Sequence, residues 1–326
     1  MNVLDLKDRK ILYQLDVNAR QSNAETARKV GLSKQVVGFR IQRLIDDKVV
    51  TKFFAVIDIA KLGFTIHKCY LRLQNVDAKK EAELVAFLVH HPDVVWVGRS
   101  DGKYDLIFGT WAKDMTYLDK TLKELNIRFG AFISERHIAS SIRGEYFSRE
   151  YLIANQGLGR SRKSVFEGTP RPVRLDHADW VLLVELGKNA RTSAVELARA
   201  AGISADTVAA RIRKLEAEVI RRYNIVPNES KYPYVHYKML IGLRNITQAR
   251  EQALLQYCSF HPNVVFCLKT LGPWEFELDL EVESAEQFRE IMMDFKTQFQ
   301  DILKDYSALQ IYQVHKYTFC PSIPRE

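Results

Sequence analysis

The sequence predicts an α+β protein in which a helix-turn-helix head and a βαββαβ domain occur twice and pack together as a pseudo-dimer. The first observation is a repeat: Ala19-Arg20 and Gly31 recur 171 residues later as Ala190-Arg191 and Gly202. The second is a Ser-x-x-Glu sequence, typical of a helix N-terminus, before that glycine in both copies. The third is the alternation of β-branched or aromatic runs with amphipathic stretches after each head. The chain is therefore a tandem duplication.

Each head is expected to contain three helices, the first over residues 5–19. Ser22 begins the second helix, Gly31 ends it, and Ser33 caps the third. Three apolar residues with i, i+4 and i+7 spacing share the inward face of the third helix. They are Val37, Ile41 and Leu44 in copy one and Val208, Ile212 and Leu215 in copy two. The strand-like runs that follow, VVTKFFAVID and VIRRYNIVPN, make each head a winged helix-turn-helix.

The domain boundaries follow from these patterns. We place the heads at 1–60 and 175–230, the βαββαβ domains at 61–154 and 231–326, and a linker rich in glycine, proline and basic residues at 155–174. In copy one the strands are expected near 64–74, 93–99, 104–112 and 132–142, with helices near 78–90 and 115–128. In copy two the strands are expected near 234–244, 263–271, 274–283 and 307–317, with helices near 247–260 and 285–303. From Val49 onward the offset between copies is 170, which indicates one deleted residue in copy two.

Composition narrows the class of protein. A formal charge of +8 and a pI near 9.2 favour a polyanionic partner. No apolar run has the length of a membrane span and the N-terminus lacks a signal peptide, so a cytoplasmic protein is expected. The four cysteines show no C-x-x-C pairing and should be reduced thiols. We find neither metal-ligand spacing nor a catalytic constellation, and we expect no catalytic residue, no metal and no cofactor.

The outward face of the third helix is the candidate binding surface, and its expected partner is double-stranded DNA. Gln35 and Gln42 can hydrogen-bond base edges, and Phe39 can touch a thymine methyl group. The full candidate set is Lys34, Gln35, Val36, Phe39, Arg40, Gln42 and Arg43 in copy one and Thr207, Arg211, Arg213 and Lys214 in copy two. Asp206 would repel phosphate, so docking of the second head is an open alternative. A degenerate head that serves only assembly is the other.

The order of several short motifs resembles the Lrp/AsnC (leucine-responsive, feast/famine) family of transcription regulators. These motifs are Leu4-Asp5 with Asp8, Gly31 to Ser33, Arg40 to Leu44, His91-Pro92 and Gly102 to Asp105. The resemblance covers nearly the whole chain, twice. It implies DNA binding through the third helix, ferredoxin-like sensor domains that pair through their sheets, and assembly into homo-oligomers of pseudo-dimeric chains. It also implies an effector that is an amino acid or a related small molecule.

By resemblance, the effector would bind at the interface of the sensor domains, where Asp105 is available for an amino group. The implied residues are Ser100, Asp101, Gly102, Tyr104 and Asp105, with Gly272, Trp274 and Glu275 in copy two. Pro273 removes a backbone donor from the second set. Sirohaem decarboxylases resemble the same architecture, so a tetrapyrrole enzyme is an alternative, as is an interaction protein that does not bind DNA.

Overall fold

Both copies contain the same elements in the same order in the computed structural model, which describes residues 4–153, 164–318 and 320. Copy one comprises the helices α1 (Leu6–Val17), α2 (Asn23–Val30), α3 (Lys34–Asp46), α4 (Ala78–His90) and α5 (Met115–Phe129) and the strands β1 (Val50–Ile57), β2 (Thr65–Leu73), β3 (Val94–Asp101), β4 (Leu106–Ala112) and β5 (Ile133–Tyr146). A short strand, β6 (Ser164–Glu167), lies between the copies. Copy two comprises the helices α6 (His177–Lys188), α7 (Ala194–Ala201), α8 (Ala205–Glu218), α9 (Gln248–Phe260) and α10 (Ala285–Phe299) and the strands β7 (Ile220–Pro227), β8 (Val235–Leu243), β9 (Val264–Leu271), β10 (Phe276–Val282) and β11 (Leu303–Tyr317).

The helices of the heads begin and end where local chemistry requires. The Ser22 hydroxyl accepts the Glu25 N–H at the start of α2, and Ser193 does the same for Glu196 in α7. Gly31 ends α2 in the left-handed conformation, with φ +66°, which glycine adopts at little cost. The predicted inward residues of α3 and α8 are all buried. The helix-turn-helix prediction is confirmed.

The strand after each third helix does not form a ribbon within its own head. β1 pairs antiparallel with β7, and Phe53 lies opposite Ile225. A lone strand leaves one row of backbone groups unpaired, and the equivalent strand of the other copy satisfies them. Core residues of α1 and α6, among them Leu12 and Leu183, belong to one hydrophobic cluster. The two heads therefore form one body, in which the wing strand of each head pairs with that of the other copy.

The two βαββαβ sheets are joined at both edges. Their strand orders are β5-β2-β4-β3 and β11-β8-β10-β9, and the edges pair as β3 with β11 and β5 with β9. Eight strands thus close into a ring, where the sequence predicted two facing sheets. Cys69 and Leu71 of β2 contact the outer helices α4 and α5, whereas Tyr70 points into the ring. Closure leaves few exposed edges in the ring.

The expected linker is partly a strand. β6 pairs with the last residues of β5, and the backbone N–H groups of Arg171 and Val173 donate to carbonyl oxygens of Ala60 and Lys61. Residues 155–163 of the expected linker lie outside the described residues. Four residues are too few for a periodic pattern, so this strand was not predictable from the sequence.

The predicted elements of copy two differ most from the structure at the boundary between α10 and β11. Helix α10 ends at Phe299 instead of residue 303, and β11 begins at Leu303 instead of residue 307. The buried side chain of Ile302 continues the apolar pattern of the helix, which extended the prediction. All four cysteines are free. Among the described residues, no helix has both the length and the apolar character of a bilayer span.

Candidate functional site

The outward face of α3 is uncovered. Phe39 is 70% exposed and Val36 is 40% exposed, and the side chains of Lys34, Gln35 and Gln42 also lie on the surface. The Gln42 amide donates to the Asp46 carboxylate at 2.8 Å. Since the opposite face of α3 packs into the fused core of the heads, this surface is rigidly presented to solvent.

Arg40 and Arg43 have partners within the head. The Nη1 atom of Arg40 lies 2.7 Å from a carboxylate oxygen of Asp5 and 2.8 Å from one of Asp8. The Nη2 atom of Arg43 lies 2.6 Å from the other carboxylate oxygen of Asp8. Asp8 is 1% exposed and also accepts the Asp5 N–H in a capping box. Burial opposes ionisation of Asp5, but the Asp8 amide and Arg40 outweigh it and lower its pKa. The Leu-Asp-x-x-Asp motif therefore holds α3 against α1, which adds a structural role to the predicted phosphate contacts.

The second head repeats this arrangement with a different surface. Arg211 contacts Asp176 and Asp179 at 2.7 and 2.8 Å, and Lys214 lies 3.8 Å from Asp179. Arg213 is exposed. The remaining candidate, the hydroxyl of Thr207, hydrogen-bonds the helix-capping hydroxyl of Ser204, and the predicted Asp206 carboxylate is on the surface. The exposed face of α8 thus carries opposite charges, whereas that of α3 is basic, amide-rich and aromatic.

Two equivalent arginines connect the heads reciprocally. Arg20 Nη1 donates to the carbonyl oxygens of Ala190 and Thr192, at 2.6 and 3.0 Å. Arg191 Nη1 donates in turn to the carbonyl oxygens of Ala19 and Gln21, at 2.9 and 3.3 Å. The Ala-Arg pairs that revealed the duplication therefore make reciprocal contacts between the two heads. Contacts of this kind fix the spacing between α3 and α8.

The hairpins expected to bind an effector lie where each sheet meets the other. Tyr104 and Trp274 are buried inside the ring, with ring centroids 6.1 Å apart. Gly102 has φ +128°, and a Cβ atom there would lie 2.9 Å from the Ala308 carbonyl oxygen. A Cβ atom on Gly272 would lie 2.6 Å from the Ile138 carbonyl oxygen. These glycines permit close approach of the two copies.

The polar groups of the hairpins have backbone partners. The Asp105 carboxylate accepts the Leu73 N–H at 2.7 Å, and Glu275 accepts the Leu243 N–H at 2.6 Å. The Ser100 hydroxyl donates to the carbonyl oxygen of its own hairpin, and Asp101 is exposed. Within the described residues, none of the eight predicted effector residues lines the cavity between the heads and the ring. The carboxylate expected to hold an amino group stabilises strand pairing instead.

The cavity lies between the β1–β7 pair of the heads and the inner side of the ring, and its volume is about 150 Å³. Charged side chains line it, among them Lys68, Arg149, Glu229, Lys238 and Asp279. Sequence reasoning missed this site. Acidic residues at alternate positions of β10 form one polar face, but that pattern usually indicates a face exposed to water and so did not predict a buried site.

The charged face of β10 consists of Glu277, Asp279 and Glu281, and it has no equivalent in copy one. The residues 170 positions earlier are Ile107, Gly109 and Trp111. Lys68 Nζ lies 2.7 Å from the fully buried Glu277, and Lys238 contacts Asp279. Burial raises the pKa of Glu277, but Lys68 and Lys238 outweigh this effect and lower it. The interior is therefore ionised and asymmetric.

Arg149 connects the first head to the sheet of copy two. Its Nε and Nη2 atoms each lie 2.8 Å from the Glu281 carboxylate, and Nη1 lies 2.5 Å from Asp16 of α1. At the position 171 residues after Asp16, copy two has Gly187, whose lack of a side chain rules out an equivalent ion pair. The connection between head and ring thus differs between the copies.

Comparisons with known proteins agree with the geometry of the heads. An AsnC-type helix-turn-helix domain model matches residues 175–216, and a winged helix-turn-helix DNA-binding model matches residues 4–51. The HTH-type transcriptional regulator Ptr1 of Methanocaldococcus jannaschii is 34% identical over 122 residues, which are 37% of this chain and 81% of that protein. The chain belongs to the Lrp/AsnC family.

This Lrp/AsnC-family chain has further relatives. The HTH-type transcriptional regulator FL11 of Pyrococcus furiosus is 31% identical over 120 residues, which are 37% of this chain and 78% of the regulator. A crystal structure of the siroheme decarboxylase NirDL covers 98% of this chain and 94% of its own, with a TM-score of 0.61 and 14% identity. At that identity the similarity extends to the fold of the whole duplicated chain and to nothing more.

Proposed function

We propose that this Lrp/AsnC-family chain is a sequence-specific DNA-binding transcriptional regulator that contacts base edges through α3. The observation that carries the proposal is the exposed face of α3, where Gln35 and Phe39 project from a helix whose other face is fixed in the core. The relatives named as HTH-type transcriptional regulators support it. Groove entry by such a helix positions its N-terminal residues at base edges.

Each exposed side chain of α3 has a role in this proposal. Gln35 and Gln42 pair with base edges, with adenine as the preferred base, and Phe39 contacts a thymine methyl group. Lys34 contacts phosphate. Arg40 and Arg43 remain 21% and 36% exposed beside Asp8, so they reach phosphates at the rim of the interface while they hold α3 in position.

The two heads make unequal contributions. Thr207, Arg211, Arg213 and Lys214 of the second head contact the DNA backbone, while Asp206 weakens base contact. Because Arg20 and Arg191 join the heads in one body, both α3 and α8 must fit one piece of DNA or only α3 binds. The preferred site is therefore an asymmetric sequence instead of a palindrome.

Regulation by a small molecule belongs to the same proposal, as does self-association of chains in the cytoplasm. An effector related to an amino acid, bound where the two sensor sheets meet, would alter the position of the heads relative to the ring. If the effector changes the affinity of the chain for DNA by some factor, DNA must change the affinity for the effector by the same factor. The hairpins around Asp105 and Glu275 are the positions that the family resemblance suggests.

The test is selection of bound fragments from genomic DNA with the full chain at stated salt, followed by fluorescence anisotropy on the enriched sequence. We expect affinity to fall steeply with salt. Gln35→Ala with Phe39→Ala should weaken binding about tenfold or more, since one good base contact provides about 1–3 kcal/mol. Ile127→Ala, at a residue 83% exposed on α5, is the matched control. Absence of an enriched sequence, or full affinity of the α3 variant, contradicts the proposal.

The enzyme alternative rests on the fold shared with NirDL, and the chemistry of the cavity opposes it. A tetrapyrrole with several carboxylates requires unpaired cations. The buried cations of this cavity already face acids: Lys68 faces Glu277, Lys238 faces Asp279 and Arg149 faces Glu281. A shifted Soret band when the protein is mixed with iron-uroporphyrin III would favour the enzyme instead.

A further inference from the structure

The cavity has walls from both the heads and the sensor ring. Val56 and Val226 of the β1–β7 pair face it from the side of the heads, and Lys68, Phe266 and Asp279 face it from the ring. Its volume of about 150 Å³ suits a small organic molecule; an engineered cavity of similar volume in another protein binds benzene. A ligand here would contact two bodies at once.

The segment between the copies provides a third wall. Phe166, Glu167 and Gly168 line the cavity. The Gly168 N–H donates to the Ile142 carbonyl oxygen at 2.6 Å, and a Cβ atom on Gly168 would lie 2.2 Å from the Ser141 carbonyl oxygen. The wall is thus closely packed against β5. Since this segment connects the copies, the cavity in this form results from their fusion into one chain.

One side of the cavity is aromatic. The Tyr146 ring lies 4.4 Å from the Phe266 ring and 5.5 Å from the Phe166 ring, centroid to centroid. Val56 and Val226 belong to the same small apolar cluster as Tyr146 and Phe166. An apolar group of a ligand would be removed from water here, which provides about 0.8 kcal/mol for each buried methylene.

One acidic group in the cavity differs from the others. Glu229 lines the cavity next to β7, and burial together with the nearby Glu281 carboxylate raises its pKa, although backbone hydrogen bonds and His236 partly oppose the shift. Glu281 has Arg149 as its counter-charge, and Asp279 has Lys238. Within 4–153, 164–318 and 320, no lysine or arginine forms an ion pair with Glu229. Glu229 is partly buried, and a carboxylate in that position without a basic counter-charge gains from an incoming cation.

We propose that this cavity binds a small organic ammonium compound with an apolar tail, its nitrogen beside Glu229 and its tail against Tyr146, Phe166 and Phe266. The proposal rests on the proposed regulator function, but it assigns the effector to the cavity between the heads and the ring in place of the hairpin around Asp105. A free amino acid and the amine that corresponds to it share this chemistry. Binding would favour one arrangement of heads and ring, and with it one DNA affinity.

The experiment is isothermal titration calorimetry of the full chain without DNA. One series uses leucine and phenylalanine, a second uses 3-methylbutylamine and 2-phenylethylamine, and a third uses the acids 4-methylpentanoate and 3-phenylpropanoate, which lack nitrogen. We expect binding in the first or second series and none in the third. A stronger first series would identify an amino acid, and a stronger second series an amine.

Variants locate the site. Glu229→Gln should weaken binding at least tenfold, since it removes the carboxylate and keeps the shape, and Asp105→Asn should leave it unchanged. Val226→Phe fills the cavity without a change in charge and should also abolish binding. Thermal unfolding checks that each variant is folded. If Glu229→Gln does not fold, the effect of Val226→Phe on ligand binding tests the location of the site.

The inference is overturned if none of the nitrogen-containing probes releases or absorbs heat on titration. It is also overturned if Asp105→Asn abolishes binding while Glu229→Gln leaves it unchanged. Neither result affects DNA reading by α3, which is measured separately on the selected sequence. Conversely, ligand binding without any enriched DNA sequence would contradict the proposed regulator and leave the cavity site intact.

Discussion

Replacement of both Arg40 and Arg43 by methionine would leave the carboxylate of Asp8 buried without positive partners. Methionine keeps most of the apolar stem of arginine, so the change removes charge and hydrogen bonds more than packing. Asp8 is 1% exposed and takes contacts of 2.8 and 2.6 Å from the two guanidinium groups. The first helix and the third helix are held together by this cluster.

The magnitude follows from burial. Removal of one partner of a fully buried ion pair costs about 3–5 kcal/mol. The arginine side chains are 21% and 36% exposed, so water partly compensates, and we expect the lower end, about 3 kcal/mol. Addition of Asp8→Asn should restore about 1–2 kcal/mol, because a neutral amide is cheaper to bury than a carboxylate.

Two measurements separate stability from recognition. Urea unfolding followed by circular dichroism gives the free energy of unfolding, and fluorescence anisotropy gives the affinity for the selected DNA. Asp8→Asn on the double-methionine background should recover stability but not DNA affinity if the arginines also contact phosphate. The matched control is Arg211→Met with Lys214→Met in copy two, which should destabilise less, because Lys214 lies 3.8 Å from Asp179 and is 49% exposed, and should also cost less DNA affinity.

An unfolding free energy equal to that of the wild-type chain would refute the reasoning, since it would mean that Asp8 needs neither arginine. If the double-methionine variant loses DNA affinity and Asp8→Asn fully restores that affinity, both arginines have a purely structural role. Stability and affinity that both recover would therefore assign DNA binding to the remaining α3 residues.

Three further predictions concern the contacts between the copies. Arg20→Ala and Arg191→Ala should each lower the free energy of unfolding by about 2 kcal/mol, measured in urea, because each removes charged hydrogen bonds to the other head. Gly102→Ala should cost about 1–3 kcal/mol because φ is +128° and the opposing strand is close; Gly202→Ala, with φ +67° and open space, should cost less in the same assay. The lowered pKa of Glu277 stabilises the folded chain at pH values above the ordinary pKa of 4.5, and this stabilisation is lost as the pH falls below that value. Glu277→Gln lacks the titrating group, so its free energy of unfolding should decrease less on acidification, measured by circular dichroism.

The candidate DNA surface was largely predictable from the sequence. Periodicity assigned Val37, Ile41 and Leu44 to the core, and the structure leaves Gln35 and Phe39 exposed on the opposite face. Helical spacing alone decides such facing. The ion pairs of Arg40 with Asp5 and Asp8 were not predictable, since they join residues more than thirty positions apart.

The candidate effector site was less predictable. The residues around Asp105 were assigned by resemblance, and the structure gives that carboxylate a backbone partner from β2. The sequence did not predict a binding role for Glu229, because a single glutamate in a loop is usually exposed to water. The cavity that Glu229 lines is formed in part by β1, β5 and β10, which are distant from one another in the chain.

The sequence by itself determined the duplication, the helix ends at Ser22 and Gly31, and the order of strands and helices, because caps, glycine conformations and apolar periodicity depend on neighbouring residues. Only the tertiary structure decided that β1 pairs with β7, that the two sheets close into one ring, and that Glu229 lines a cavity between the heads and the ring. These features depend on which distant surfaces meet when apolar area is buried and backbone hydrogen bonds are completed, and no local pattern encodes that choice.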